Sequence, residues 1–150
     1  MIMRLSQCDH PVILCMVGDH APSLIEQLEG KRDMTPEEME LWQRAVPFVV
    51  WANFDYNMDG ISEYASMTDL IPMMLSSAEM PLTPFYRQVL NVNQAFPVRT
   101  SSGLYMDVKG TIAHFDNEDY SNDEIKQYFF MEYNELCCGK DYIPNLFQIP

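Results

Sequence analysis

The residues best suited to chemistry are Gly18, Asp19 and His20, which directly follow a continuous apolar run. The run extends from Pro11 to Val17 and predicts a strand buried on both faces, as in the interior of a parallel sheet. Ligands of open α/β sheets bind at the carboxyl ends of such strands. There the Asp19 carboxylate and the His20 imidazole could both bind a divalent cation, and Gly18 would let the backbone turn around it. The alternative is that Asp19 caps a following helix and His20 is an ordinary surface residue.

Other polar residues have simpler structural interpretations. The loop from Asp55 to Gly60 matches the first half of an EF-hand loop, but its twelfth position is Ser66 instead of glutamate. We therefore interpret it as a polar turn. His10 lies at the opposite end of the predicted strand from the candidate metal ligands, so we do not expect it to join them. His114 lies among apolar residues, and we expect a structural role for it.

The composition excludes some classes of function. The chain has 150 residues, of which 47% are hydrophobic, and a net charge of −13, with nine basic residues that form no basic stripe. This excludes a nucleic-acid-binding protein. The apolar runs are far shorter than the about 20 residues that span a bilayer, so we expect no transmembrane segment and no secretion signal in this chain.

The four cysteines do not predict a disulfide framework or a zinc ribbon. Cys137 and Cys138 are adjacent, and Cys8 and Cys15 do not form a CxxC pair. We expect ordinary buried or half-buried thiols, since a free cysteine packs like a small apolar side chain.

The order of predicted elements favours one compact α/β unit. A short helix follows Pro22, and a capping box at Thr35–Glu38 opens a helix that continues to Arg44. A second apolar strand at Phe48–Ala52 then favours a parallel pair with the first strand, joined by a right-handed crossover. Further predicted elements are a helix through Leu70–Leu75 capped by Ser66 or Thr68, a helix from Thr83–Pro84, an antiparallel edge pair within Val98–Phe115, a helix from the capping box Ser121–Glu124 to Gly139, and a coil from 141 to 150.

Four blocks of sequence together carry a family resemblance. In chain order they are Pro11–His20, Val46–Trp51, Ser66–Leu75 and Tyr133–Lys140. They resemble the closing third of the sulfatase-type domain in lipoteichoic acid synthase-like phosphoglycerol transferases, which belong to the alkaline phosphatase superfamily. The resemblance runs over most of the chain and implies a partial alkaline phosphatase/sulfatase-like sheet with flanking helices and a small antiparallel edge pair.

The resemblance also implies a function and a location. Enzymes of this family are membrane-anchored and face outward, and they transfer glycerol phosphate from phosphatidylglycerol to a cell-envelope polymer or glycolipid. In them a threonine nucleophile attacks phosphorus beside a divalent cation, usually manganese. Carried over to this chain, Asp19 and His20 are two of the metal ligands.

The sequence differs from the family because several of the family's catalytic residues are missing from it. The family's nucleophile, its remaining acidic ligand and its substrate-binding His and Arg residues have no counterpart here. We therefore expect residues 1–150 to be a single C-terminal segment of the catalytic domain, inactive alone and weak in metal affinity. Its partner would be the remainder of that domain, and a sheet edge left open by its absence would favour self-association. Alternatives are a segment of another sulfatase- or phosphodiesterase-type hydrolase, and a non-catalytic interaction module derived from this fold.

Overall fold

The computed structural model describes residues 1–20, 33–115, 123–137 and 139–150, which divide into two compact units. The first unit is Met1–Tyr56 and the second is Asn57–Pro150, whereas the sequence predicted one compact unit. In chain order the helices and strands are α1 (Ile2–Leu5), β1 (Ile13–Val17), α2 (Pro36–Arg44), β2 (Phe48–Ala52), α3 (Leu70–Ser77), α4 (Pro84–Asn93), β3 (Val98–Arg99), β4 (Leu104–Met106), β5 (Ile112–His114) and α5 (Asp123–Cys137). That the whole chain is one segment of a catalytic domain stays a prediction.

The first unit contains a two-stranded antiparallel sheet. Ile13 of β1 lies opposite Ala52 of β2, and Val17 lies opposite Phe48. The predicted parallel pair with a right-handed crossover is therefore wrong. A helix between two strands permits a parallel pair but does not require one, because a connection as long as residues 18–47 can return the chain to either end of the first strand.

The strands β1 and β2 are less buried than their sequences predict. Val17 remains 43% exposed and Val49 remains 52% exposed, although both lie in fully apolar runs. The expectation of burial on both faces is therefore not met by the described residues. The predicted helix after Pro22 lies outside the described residues.

The helix α2 begins as its sequence predicts. The Thr35 hydroxyl accepts a hydrogen bond from the Glu38 N–H at 3.2 Å, and the Glu38 carboxylate accepts one from the Thr35 N–H at 2.7 Å. Pro36 occupies the first helical turn, where the missing N–H costs no intrahelical hydrogen bond. The predicted capping box is confirmed.

The second unit combines helices with a separate antiparallel sheet. The strand order is β3–β4–β5, so the predicted antiparallel pair is present with one additional strand. A 3-10 turn at Met67–Asp69, with Ser66 as its N-cap, leads into α3, and Thr83 caps α4 by accepting from the Tyr86 N–H at 3.1 Å. The predicted capping box at Ser121 lies outside the described residues. A short 3-10 turn at Gly139–Asp141 begins at the glycine where the helix was predicted to end, and a second at Pro144–Leu146 lies within the predicted coil.

The core of the second unit forms between α4 and α5. Val89 and Val92 lie one turn apart on α4 and pack with Tyr128 of α5, and all three are buried. Phe85, Phe96 and Phe129 pack around this cluster. Leu104 of β4 is completely buried as well, so helices and sheet both contribute buried apolar side chains to this unit.

In the parts of the chain that the structure describes, no helix has the length and apolar character needed to cross a membrane. This agrees with the sequence-based expectation for these residues.

Candidate functional site

The candidate metal ligands lie side by side where β1 ends. Asp19 Oδ2 and His20 Nε2 are 3.6 Å apart, and the two side chains are 89% and 77% exposed. Asp19 Oδ1 also accepts a hydrogen bond from the His20 backbone N–H at 3.0 Å. The carboxylate and the imidazole therefore present an oxygen and a nitrogen donor to solvent on the same side of the chain end.

Close packing favours a glycine at position 18. Its N–H donates to the Pro47 carbonyl oxygen at 3.0 Å, which extends the β1–β2 pairing by one residue. A Cβ at this position would lie 3.0 Å from the Cβ of Val46, closer than ordinary packing allows. The close approach of Val46 and Pro47, at the start of β2, accounts for a glycine at this position. A bound ion is not needed to explain it.

Asn53 fixes the other end of the sheet in the first unit. Its side-chain Nδ2 donates to the carbonyl oxygens of Leu5, Cys8 and His10 at 3.0 to 3.3 Å. Its Oδ1 accepts from the Val12 N–H at 2.8 Å. One amide side chain thus joins the N-terminal segment to the start of β1, the strand that carries Asp19 and His20 at its far end.

The described residues supply no further protein ligand for this pair. Across residues 1–20, 33–115, 123–137 and 139–150, no group of three or more His, Cys, Asp and Glu side chains could hold a metal ion. The structure therefore brings together the two donors that the sequence predicted and adds no third donor from these ranges.

The remaining polar candidates are two histidines and one loop, and the structural role expected for His114 stays a prediction. His10 is exposed before β1, and His114 is exposed at the end of β5. The Asp59 N–H donates to Asn57 Oδ1 at 2.8 Å, which closes a polar turn.

The described cysteines are free thiols. Cys8 and Cys15 are partly buried and Cys137 is exposed, whereas Cys138 lies outside the described residues. Burial raises the pKa of Cys15.

A second polar cluster, in the second unit, was missed by the sequence analysis. Asp69 is completely buried and forms a salt bridge with Arg99, whose side chain is only 4% exposed. Asp69 Oδ2 also accepts from Asn93 Nδ2 at 2.8 Å and from the Ser66 N–H at 3.2 Å. The guanidinium carbon of Arg99 lies 5.0 Å from the centroid of the Tyr128 ring. We call these five residues the Asp69–Arg99 network.

Burial and charge act in opposite directions on this network. Burial raises the pKa of the Asp69 carboxyl, while the positive charge of Arg99 and hydrogen bonds from Asn93, Arg99 and Ser66 oppose the rise. Burial also raises the pKa of Tyr128, against the charge of Arg99. A buried charge is stable only when it is paired and hydrogen-bonded, and Asp69 meets both conditions.

Only part of the Asp69–Arg99 network had a local signal in the sequence. Ser66 and Asp69 are spaced as a capping box, in which the Asp69 side chain accepts from the Ser66 N–H. Arg99 lies 30 residues further along the chain, and nothing in the spacing of a single sequence predicts that contact.

A cavity of about 430 Å³ lies beside this network, within the second unit. Its walls come from the turn at residues 66–68, from residues 99–103 between β3 and β4, and from Tyr128, Phe129 and Glu132 on α5. It is a second candidate binding site, built from residues that the sequence analysis did not combine.

Comparison with known proteins identifies no relative: no family model, curated protein or solved structure matches the chain.

Proposed function

We propose that this chain is the C-terminal segment of a metal-dependent phosphoglycerol transferase with a sulfatase-type domain, and that it is inactive alone. In the complete enzyme, Asp19 and His20 would be two ligands of a divalent cation, of which manganese is the first choice. The observation that carries the proposal is the exposed pair at the end of β1, where Asp19 Oδ2 and His20 Nε2 lie 3.6 Å apart. The four blocks of family resemblance supply the reaction class.

The donor set fits such a cation in kind. A carboxylate oxygen and an imidazole nitrogen both suit divalent manganese, and the exposure of the two side chains leaves them accessible. The hydrogen bond from the His20 N–H to Asp19 Oδ1 restrains the carboxylate and leaves Oδ2 for coordination. When bound, a divalent cation lowers the pKa of a nucleophilic hydroxyl and offsets charge on phosphoryl oxygens.

The residues of this chain would hold and orient the cation. Gly18 pairs with Pro47 and Asn53 joins the N-terminal segment to β1, so both ends of the strand are anchored. Two protein ligands do not define a coordination geometry. The remaining ligands and the nucleophile would come from the remainder of the catalytic domain, which would also determine the location on the outer face of the membrane.

Transfer of glycerol phosphate from phosphatidylglycerol tests the proposal. We expect no activity from the 150-residue chain alone. When it is produced together with the polypeptide encoded directly upstream of Met1, we expect manganese-dependent transfer that Asp19→Asn reduces by a factor of at least about 100, since loss of a metal-site ligand or its support costs that order of magnitude.

The control variant is Asp9→Asn. Asp9 and His10 repeat the same residue pair before β1, and Asp9 is exposed, so its replacement should leave the transfer unchanged. Transfer by the isolated chain, or equal losses in the two variants, would contradict the proposal. Release of free glycerol phosphate or sulfate without transfer would instead favour a hydrolase of the same superfamily.

A further inference from the structure

The helix α5 carries large apolar side chains on its solvent side as well as on its core side. Tyr128 faces the core and is buried, whereas Phe130, Tyr133 and Leu136 are each more than half exposed. Cys137, at the end of the helix, is exposed too. We call these four exposed residues the α5 stripe.

The α5 stripe follows the spacing of a helix–helix contact. Residues 126, 130, 133 and 137 are separated by four, three and four positions, so they lie along one face of α5. This is the alternation of the d and a positions of a heptad, at which paired helices meet. Lys126 occupies the first of these positions, and Leu136 flanks the last.

The carboxylates of Glu132 and Glu135 are directed to other parts of the second unit. Glu132 Oε1 accepts a hydrogen bond from the Tyr128 hydroxyl at 3.3 Å, and the Glu135 side chain interacts with the Tyr142 hydroxyl. Another helix can therefore contact the α5 stripe without burying these two charges, which would be costly.

We propose that the α5 stripe pairs with the α5 stripe of a second copy of this chain, with the two helices antiparallel. In a two-fold dimer each contact occurs twice, with the two residues exchanged. When the a positions of one helix meet the d positions of the other, Phe130 lies opposite Tyr133 of the second copy, and Lys126 lies opposite its Cys137. The proposal concerns the second unit alone and does not rest on the proposed function.

The charges at the two ends of α5 fit the antiparallel direction. Lys126 would lie beside the carbonyl end of the other α5, where the helix dipole attracts a cation. Asp123, at the start of α5, would lie near Lys140 of the second copy, which follows the end of its α5. A parallel pair would instead place each of these charges opposite its own copy, and like charges repel.

We expect this dimer to be weak and to become stronger with salt. The α5 stripe supplies few side chains, whereas a standard interface has about 20–30 residues on each side. Each chain also carries a net charge of −13, so two copies repel each other until salt screens the charges. Binding to a basic partner would show the opposite salt dependence.

Analytical ultracentrifugation of the full chain tests the proposal. We expect a mean mass that rises with protein concentration, and more steeply at about 500 mM than at about 50 mM sodium chloride. Tyr133→Asp should weaken the association at least about tenfold, because it places a carboxylate in an apolar contact. Tyr64→Asp is the matched control, since Tyr64 is 59% and Tyr133 is 60% exposed. It adds the same charge and should leave the association unchanged.

A disulfide tests the direction and register of the pair. In Lys126→Cys, the new thiol should bond to Cys137 of the second copy, because a disulfide needs Cα atoms within about 7 Å of each other. Within one copy these two positions are about 16 Å apart along the helix, so only a dimer can form the bond. Peptide mapping of the oxidised dimer identifies it, and the additional change Cys137→Ser should abolish it.

Three results would overturn the proposal. A mass that stays monomeric at every protein and salt concentration would mean that the α5 stripe does not bind a second copy. Equal association of Tyr133→Asp and Tyr64→Asp would place the contact on another surface, such as the strands β1 and β2. Covalent dimers of Lys126→Cys that lack the bond to Cys137 would exclude the antiparallel pairing.

Discussion

In the second unit, Val89 and Val92 pack around Tyr128 and have lost nearly all contact with solvent, whereas Val17 and Val49 in the first unit remain about half exposed. These valines have the same chemistry, but only those on α4 are buried from two sides. Among the described residues of the first unit, only Tyr56 is buried. In this chain, a run of apolar residues therefore does not by itself predict that its side chains are buried.

The difference matters for the proposed function. The strands β1 and β2 have sequences typical of strands covered on both faces, and the predicted metal ligands follow the first of them. Their remaining exposure is what a segment of a larger sheet would show, and the proposed remainder of the catalytic domain is the partner that would cover it. Self-association through these strands stays a prediction that light scattering can test.

The largest expected effect is the loss of the buried charge pair in the second unit. Asp69→Ala leaves the Arg99 guanidinium buried without its counter-charge, and breaking a buried pair in this way costs about 3–5 kcal/mol. Urea unfolding followed by near-UV circular dichroism of the tyrosines should show a correspondingly lower free energy of unfolding. The exposed Asp59→Asn serves as the control, and equal stability of the two variants would show that the pair contributes little.

A matched pair of valine substitutions tests the contrast in burial. Val89→Ala removes two completely buried methyl groups and should lower the free energy of unfolding by about 2 kcal/mol. Val49→Ala changes a side chain that is 52% exposed and should alter stability by no more than about 0.5 kcal/mol. Both are measured by urea unfolding. A cost at Val49 as large as that at Val89 would mean that β2 is covered in solution.

The smallest expected effect concerns the turn between β4 and β5. Asp107 Oδ1 accepts from the N–H groups of Thr111 and Lys109, each at 2.8 Å, and these hydrogen bonds, that from Thr111 most of all, hold the pKa of Asp107 below its ordinary value. A lowered folded-state pKa gives stability above the unfolded-state pKa, and this stability is lost as pH falls through the folded-state pKa.

Amide hydrogen exchange at Lys109 and Thr111 measures this effect. Protection should decrease as pH falls below about 4, the region where an unperturbed aspartate takes up a proton. In Asp107→Asn the protection should be lower at neutral pH and should lose this pH dependence, after correction for the intrinsic exchange rate. Unchanged pH dependence in the variant would assign the effect to another group.

The parts of the fold that depend on contacts between residues close in sequence were predicted correctly. The capping box at Thr35–Glu38 and the Thr83–Pro84 helix start depend on hydrogen bonds within a few residues, so the sequence alone was sufficient. The long helix α5 followed from apolar residues at helical spacing, and the antiparallel strands after Val98 followed from short apolar stretches between glycine turns.

The features that sequence reasoning missed are those that depend on distant residues. The strands β1 and β2 pair in an antiparallel direction. That direction depends on how residues 18–47 return the chain, and the apolar composition of the two runs does not specify it. The Asp69–Arg99 contact joins residues that are 30 positions apart, and neither residue shows in its own neighbourhood that it is buried. The cavity beside these two residues could not be predicted either, because its lining residues come from three segments that are distant in sequence.

The proposed function requires Asp19 and His20 to bind a divalent cation at the end of β1. Manganese is paramagnetic, so an NMR titration of the full chain reports where it binds through selective line broadening. We predict weak binding with broadening centred on Gly18, Asp19 and His20, abolished by Asp19→Asn, and little broadening at the equivalent pair of Asp9 and His10. Equal broadening at both pairs, or broadening that persists in Asp19→Asn, would show that the end of β1 is not a specific cation site.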